Sequence, residues 1–290
     1  MNDFEFAEPS SLNEAIALLD TDDPTVRPFS GGTALMLMMK SGVFEPSRLV
    51  SLRRIEERHA TISSADDGAL KLGAMASLTE VEYSPDVMRL APTLSHVMKR
   101  LSNVRVRNVA RLGGNLAHGD PHMDLPPVLC ALRADVVAQG PSGERRIAIE
   151  NLFSGYYETV LRQGELITEV DIPSQQGWSS HYSKVTTRTY DDWPALGVAV
   201  SVKSRDGLVE DCRIVVSAAT EKLTRLATAE NALRGQPVGP DAFARAGEAA
   251  ASEAETIDDA RGSAGYKTDL LRVYVGRSLQ AATTGMRAVS

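Results

Sequence analysis

The chain has 290 residues, enough for two or three compact units and a sizeable core. Its 43% apolar and 24% charged residues are those of an ordinary folded protein, and a net charge of −7 with a pI near 5.4 argues against nucleic acid as a partner, which needs a concentrated positive surface. Two cysteines, Cys130 and Cys212, supply neither a disulfide framework nor the thiolates of an iron–sulfur cluster. No apolar run reaches membrane-spanning length, so no transmembrane segment is expected. The start, Met1-Asn2-Asp3-Phe4-Glu5, lacks the basic-then-apolar layout of a signal peptide, and a cytoplasmic location is expected.

In chain order, Ser11-Leu12-Asn13-Glu14 is a capping box, and Leu12, Ala15, Ile16 and Leu19 follow at helical spacing. A short strand, Arg27 to Phe29, leads into Ser30-Gly31-Gly32-Thr33, and a helix leaves it from Ala34 through Met39. That helix is apolar almost all round, which predicts that it is buried; its Met residues read as core filling. Arg48 to Leu52 closes a βαβ-like unit. Strands at 60–63 and 69–74 flank an Asp66-Asp67-Gly68 turn, and Ser77-Leu78-Thr79-Glu80 is a second capping box. A helix through Leu94, Val97, Met98 and Leu101 runs toward Arg105, Arg107 and Arg111. This local basic cluster faces either phosphates or solvent.

The densest stretch is Arg111 to Pro127. Gly113-Gly114 reads as a sharp turn with close access to a ligand, because neither residue carries a Cβ. Asp124 before Leu125-Pro126-Pro127 reads as the N-cap of an apolar helix whose N-terminal amides face a polar ligand. Two Gly-Gly turns, each opening onto a helix, suit a cofactor pyrophosphate held between two loops. Strands follow at 135–139, 145–149 and 166–172. The polar segment Ser174 to Ser180 marks a boundary. Beyond it, strands at 181–187, 195–203 and 208–217 form an antiparallel meander, and helices at 221–233, 241–254 and 266–281 complete an α+β domain.

Other chemistries compete. His118, Asp120, His122 and Asp124 alternate as metal ligands on one strand face would, which suits a metal-dependent hydrolase. Gly119 and Pro121 interrupt that strand, and Asp124 is accounted for as a cap. There is no Gly-x-Ser-x-Gly elbow and no Gly-x-Gly-x-x-Gly after the first strand.

The chain resembles the FAD-binding medium subunits of the molybdenum hydroxylases, the group of aerobic carbon monoxide dehydrogenase and xanthine dehydrogenase, over essentially its whole length. Four segments carry the resemblance: Phe4 to Pro9 with Leu12 to Leu19; Ser30 to Leu35, similar to the usual Ala-Gly-Gly-His-Ser-Leu; Leu112 to Ala117 with Asp120-Pro121 and Asp124 to Pro127; and Gly155 to Thr159 with Gly164 to Leu166 and Ile172-Pro173. The resemblance implies an α+β fold: a two-lobed PCMH-type FAD-binding domain over 1–175 (lobes about 1–55 and 56–175), then a small C-terminal domain over 180–285 with a three-stranded antiparallel sheet plus helices.

By the same resemblance, Gly31, Gly32 and Thr33 hold the FAD pyrophosphate, and Gly113, Gly114 and Asn115 hold the other side of the phosphate and ribityl region. Asp124 accepts from a cofactor hydroxyl or amine, Lys184 lies near the flavin ring, and Trp193 is a ring neighbour. Phe29, Ser30, Ala34, Leu35, Leu101 and Ile167 complete the cofactor-binding set. Thr33-Ala34 departs from the family's His-Ser, and Arg111 stands where Ser or Thr is common, so Arg111 is expected to pair with a phosphate. No cysteine-rich insertion is present, so no iron–sulfur cluster is expected in this chain. The implied role is electron transfer: two electrons per turnover arrive from the [2Fe-2S] clusters of a small subunit, themselves fed by a large molybdopterin-binding subunit, and FAD passes them to an external acceptor. The implied assembly is a dimer of heterotrimers. A stand-alone FAD oxidase of the same flavin fold is the alternative.

Overall fold

The structure is a computed structural model and describes residues 3–284. Met1 and Asn2, used above against a signal peptide, and residue 285, the expected end of the second domain, lie outside the described residues.

The first lobe is a three-stranded parallel sheet, β1 (Glu5–Ala7), β2 (Val26–Phe29) and β3 (Arg48–Ser51), in the order β1-β3-β2. Helix α1 (Leu12–Leu19) starts at Ser11, whose side chain accepts from the Glu14 amide, and lays Leu12, Ala15, Ile16 and Leu19 onto Val26 and Val50. Helix α2 (Leu35–Lys40) connects β2 to β3. Its expected burial is wrong: only Met39 is buried, Leu37 is 67% exposed, and no residue of α2 joins the lobe's core. Three short strands need one apolar layer, and α1 supplies it.

The second lobe is an antiparallel sheet of β4 (Ile62–Ser64), β5 (Leu70–Gly73), β6 (Asp135–Gly140), β7 (Gly143–Ala148) and β10 (Leu166–Ile172), in the order β4-β5-β10-β6-β7. Between β5 and β6 run six helices: α3 (Leu78–Tyr83), α4 (Pro85–Leu90), α5 (Pro92–Met98), α6 (Val104–Val109), α7 (Leu112–Ala117) and α8 (Leu125–Ala131). The Ser77 capping box forms with both reciprocal bonds. A small ladder, β8 (Phe153–Gly155) with β9 (Glu158–Thr159), follows β7. Along β10, Leu166, Thr168, Val170 and Ile172 alternate inward, as a sheet with one buried face requires.

The C-terminal sheet is β11 (Trp178–Val185), β12 (Leu196–Arg205), β13 (Leu208–Ser217) and β14 (Thr224–Arg225), all antiparallel. The two-residue β14 occupies the start of the helix expected over 221–233. That helix, α9 (Ala227–Leu233), begins later, and α10 (Pro240–Glu253) and α11 (Ala264–Thr284) follow. Strand β12 is buried on both faces from Leu196 to Val202. Leu196, Val198, Val200 and Val202 pack toward α9–α11, while Ala199, with Tyr182 and Val215, enters the core that contains α8. A continuous apolar run is what a strand between two helical layers needs. The sheet therefore presses its other face directly onto the second lobe.

Candidate functional site

The two glycine pairs meet. Gly31, in the turn between β2 and α2, lies so close to the end of α6 that a Cβ there would stand 2.4 Å from the Val109 carbonyl oxygen and 2.8 Å from Ala110 Cα. A Cβ on Gly114 would stand 2.8 Å from Ser30 Oγ. Ser30 and Gly114 are thus apposed across the seam between the lobes, with Gly31 seated on the end of α6. Gly32 has φ +66°, open to glycine at no steric cost, and its missing Cβ leaves room for the Phe29 ring. The first bond of the α2 ladder runs from Met36 N to Gly32 O, so the amides of residues 32–35 precede it and are free of it. Thr33, Ala34 and Leu35, half-buried, line this first turn.

The second pair is not a turn. Gly113 and Gly114 sit inside α7 with helical backbone. Leu112 N donates to Ala76 O and Gly113 N to Ala74 O, while Ala74 N donates to Thr168 O, so α7 is tied through Ala74 to β10 beside Ile167. Gly113 is required by contact: its Cβ would be 2.8 Å from Ala74 Cβ. Gly114 is exposed and faces the first pair. Next to it, Asn115 Nδ2 donates to Met123 Sδ at 3.3 Å, while its Oδ1 is buried with no hydrogen-bond partner. A buried amide oxygen left unpaired is costly, and a ligand donor in the seam would satisfy it.

The basic cluster disperses. Arg107 is buried in an ion pair with Glu82 at 2.9 Å and also donates to the Ser102 carbonyl, so it faces neither phosphate nor solvent. Arg111 donates to Met75 O at 3.2 Å and lies 3.7 Å from Glu80. It remains half-buried at the N-terminal end of α7.

Asp124 occupies the N-cap position of α8 but makes no side-chain cap bond. Pro126 and Pro127 remove two amides from that helix start and the whole helix is buried, so no ligand-facing N-terminus forms there. The carboxylate turns to the C-terminal domain instead: Oδ1 accepts from the Tyr182 hydroxyl at 2.7 Å and Oδ2 from Lys184 Nζ at 2.8 Å. Lys184 also donates to Arg100 O, beside the buried Leu101. Burial pushes the Asp124 carboxyl up against the pull of Lys184 and Tyr182. Burial likewise raises the Tyr182 hydroxyl well above its ordinary value. Leu101, Asp124 and Lys184 thus come together as an interdomain wall rather than as groups reaching into a cavity. Tyr182 was missed; its place two residues before Lys184, on the same face of one strand, was the available signal.

The His118–Asp124 run is a loop, and among the described residues no set of three or more His, Cys, Asp or Glu is arranged to hold a metal. His122 Nδ1 lies 2.9 Å from Asp120 Oδ1 and Nε2 3.0 Å from Asp259 Oδ2; Asp120 also accepts from Tyr157, and Asp259 from the fully buried Lys267 at 2.7 Å. Burial raises Asp120 and Asp259, but the His122 bonds outweigh it, and with Lys267 they carry Asp259 down to about 2. Burial holds His118 below the usual imidazole range. Trp193, 46% exposed, stacks on His122 with ring centroids 6.2 Å apart and an interplanar angle of 21°.

Residues 2–175 match the family profile described as the FAD binding domain in molybdopterin dehydrogenase. The chain belongs to that family. Residues 181–282 match the CO dehydrogenase flavoprotein C-terminal domain. The chain is 31% identical over 280 residues to the carbon monoxide dehydrogenase medium chain of Hydrogenophaga pseudoflava, covering 96% of each. It is 32% identical over 275 residues to the nicotine 6-hydroxylase medium subunit of Paenarthrobacter nicotinovorans, covering 94% and 95%. Its structure superposes on the Hydrogenophaga pseudoflava carbon monoxide dehydrogenase with a TM-score of 0.92 at 33% identity, over 97% of both chains. On the quinoline 2-oxidoreductase of Pseudomonas putida 86 the TM-score is 0.91 at 28% identity, over 98% of both. The protein is accordingly an FAD-dependent oxidoreductase flavoprotein with the two-part architecture of these relatives. The seam fits the cofactor: it offers the free amides of residues 32–35, the exposed Gly114 with no side chain opposite Ser30, and the unpaired Asn115 Oδ1. No helix among the described residues is long and apolar enough to cross a membrane.

Proposed function

We propose that this chain is the FAD-binding, electron-transferring medium subunit of a molybdopterin-dependent hydroxylase or dehydrogenase. It receives electrons from the [2Fe-2S] clusters of a small subunit, which a large molybdopterin-binding subunit feeds, and delivers them to an external acceptor in the cytoplasm. The assembly proposed is a dimer of heterotrimers. The observation that carries the reading is the meeting of Ser30-Gly31-Gly32 with Gly114-Asn115 across the lobe seam, with Asn115 Oδ1 unpaired. The relatives named as medium chains, which this chain matches nearly end to end, support the subunit role.

FAD, when bound, accepts a pair of electrons and releases them again; the chain's part is to bind, orient and shield it. In this reading the amides of Gly32, Thr33, Ala34 and Leu35 donate to the pyrophosphate, and Arg111 adds charge from the edge of the seam. Gly113 acts by close packing, which lets α7 approach, and Gly114 and Asn115 face the ribityl side. Phe29, Ser30 and Ile167 line the walls. Asp124 and Lys184, with Leu101 behind them, hold the C-terminal domain against the site, and Trp193 covers it. The division at 175–180 separates cradle from cover, and the family matches to 2–175 and 181–282 support it.

Titrating purified protein with FAD tests the reading. One FAD per chain, and capture of an iron–sulfur and a molybdopterin protein on co-expression with the neighbouring genes, is the expected result. A chain that takes up FAD and by itself oxidises an organic substrate is a stand-alone oxidase, and the subunit role falls.

A further inference from the structure

Trp193 lies on the segment between β11 and β12, and three contacts fix it. Its indole stacks on His122, the Arg261 guanidinium stands 5.2 Å from its ring centroid, and Arg261 Nε donates to the Trp193 carbonyl at 3.3 Å. Pro194 follows and biases Trp193 to extended backbone, while the Trp193 amide donates to Asp192 Oδ1. The base of the stack is held from both domains. His122 sits between Asp120 of the flavin domain and Asp259 of the C-terminal domain, and the buried Lys267 holds Asp259 in turn. Tyr156 meets the His122 ring edge-on at 6.3 Å. Met123, next to His122, is the partner of Asn115 Nδ2, so the indole rests on the segment that walls the seam.

We propose that His122 and Arg261 are positioning residues that seat Trp193 as a cover over the open side of the flavin, with the Asp120–His122–Asp259–Lys267 chain as the fixed base of that cover. The inference rests on the flavin reading above. An exposed indole on a loop would otherwise sample many positions; an aromatic pair and a cation over its ring restrict it. Neither His122 nor Arg261 needs to touch the cofactor for this.

The chain has two Trp residues, so a Trp178→Phe background leaves Trp193 as the one indole reporter. In that background His122→Ala is expected to raise acrylamide quenching of Trp193 by about threefold, the scale of losing one aromatic pair. His122→Phe, which keeps a ring, restores protection. Arg261→Gln leaves the buried base intact and gives a smaller rise, so it keeps the test valid if His122→Ala fails to fold. In the parent, bound FAD quenches Trp193 emission, and in His122→Ala it does so less at the same FAD stoichiometry. Unchanged acrylamide quenching in both folded variants overturns the positioning role. Stoichiometric FAD uptake with unaltered Trp193 emission overturns the cover while the flavin site stands. No FAD uptake by absorbance removes the flavin site and the cover together.

Discussion

The two glycine pairs look alike in sequence and are used differently. Gly31-Gly32 is a true turn: one residue needs a positive φ, and the other packs against the backbone at the end of α6. Gly113-Gly114 lies in a helix, where glycine costs roughly 0.5–1 kcal/mol relative to alanine. That cost is accepted because Gly113 lets α7 touch Ala74 and Gly114 puts no side chain against Ser30. Three of the four glycines are thus needed by the fold. Only Gly114, exposed and opposite a movable side chain, is needed chiefly by whatever enters the seam.

Substitutions can break or sharpen this contrast. The largest effect is expected at the interdomain wall of Asp124 and Lys184. Lys184→Ala strips the buried Asp124 of its cation, and loss of one partner of a buried pair costs about 3–5 kcal/mol; urea unfolding reads it, and a cost near zero would show that the wall is not rigid. Gly31→Ala drives a methyl into the Val109 carbonyl, an overpacking cost of about 1–3 kcal/mol, and FAD affinity falls with stability because the turn itself moves. Gly113→Ala meets the Ala74 side chain and carbonyl, but gains about 1 kcal/mol of helix propensity, leaving a net loss of about 1 kcal/mol. Equal losses at Gly31 and Gly113 would erase the difference between turn and helix.

The polar base of the loop gives a pH-dependent counterpart. Asp259 has a folded pKa of about 2 against an ordinary 3.8, a depressed carboxylate. Its contribution to stability is fully present above the ordinary value and is lost as pH falls through the folded one. Asp259→Asn should therefore flatten acid unfolding between these two values relative to the parent. A parallel pair of curves would mean the His122 and Lys267 contacts contribute no pH-dependent stability. The smallest stability effect is expected at Gly114: Gly114→Ala gains helix propensity, meets only Ser30 Oγ, and leaves the melting temperature unchanged or slightly raised. FAD affinity should nevertheless fall.

Much of this was legible in the chain. The capping boxes at Ser11 and Ser77, the strand over 166–172 and the Gly31-Gly32 turn announced elements that the structure contains, because each is a local signal, whereas the like-looking Gly113-Gly114 lies in a helix. What failed depended on tertiary partners. The apolar α2 looks like a core helix, yet α1 already covers its sheet. Asp124 looks like a cap, yet Tyr182 and Lys184 from a distant strand claim it. Arg107 looks like part of a basic edge, yet Glu82 draws it inward. The alternating His and Asp residues looked like ligands on a strand, yet Gly119 takes φ +69° and the chain loops, giving His122 two carboxylate partners instead of a metal. No local pattern encodes those pairings.

The most direct test of the central claim is an FAD titration of Gly114→Val beside Gly265→Val, whose glycine lies in α11 with nothing near its Cβ position. The seam predicts that Gly265→Val binds FAD like the parent, while Gly114→Val folds with a parent-like circular dichroism spectrum and loses at least tenfold in affinity, about 1.4 kcal/mol. A folded Gly114→Val protein with parent-like FAD affinity would contradict a flavin held between the two glycine pairs.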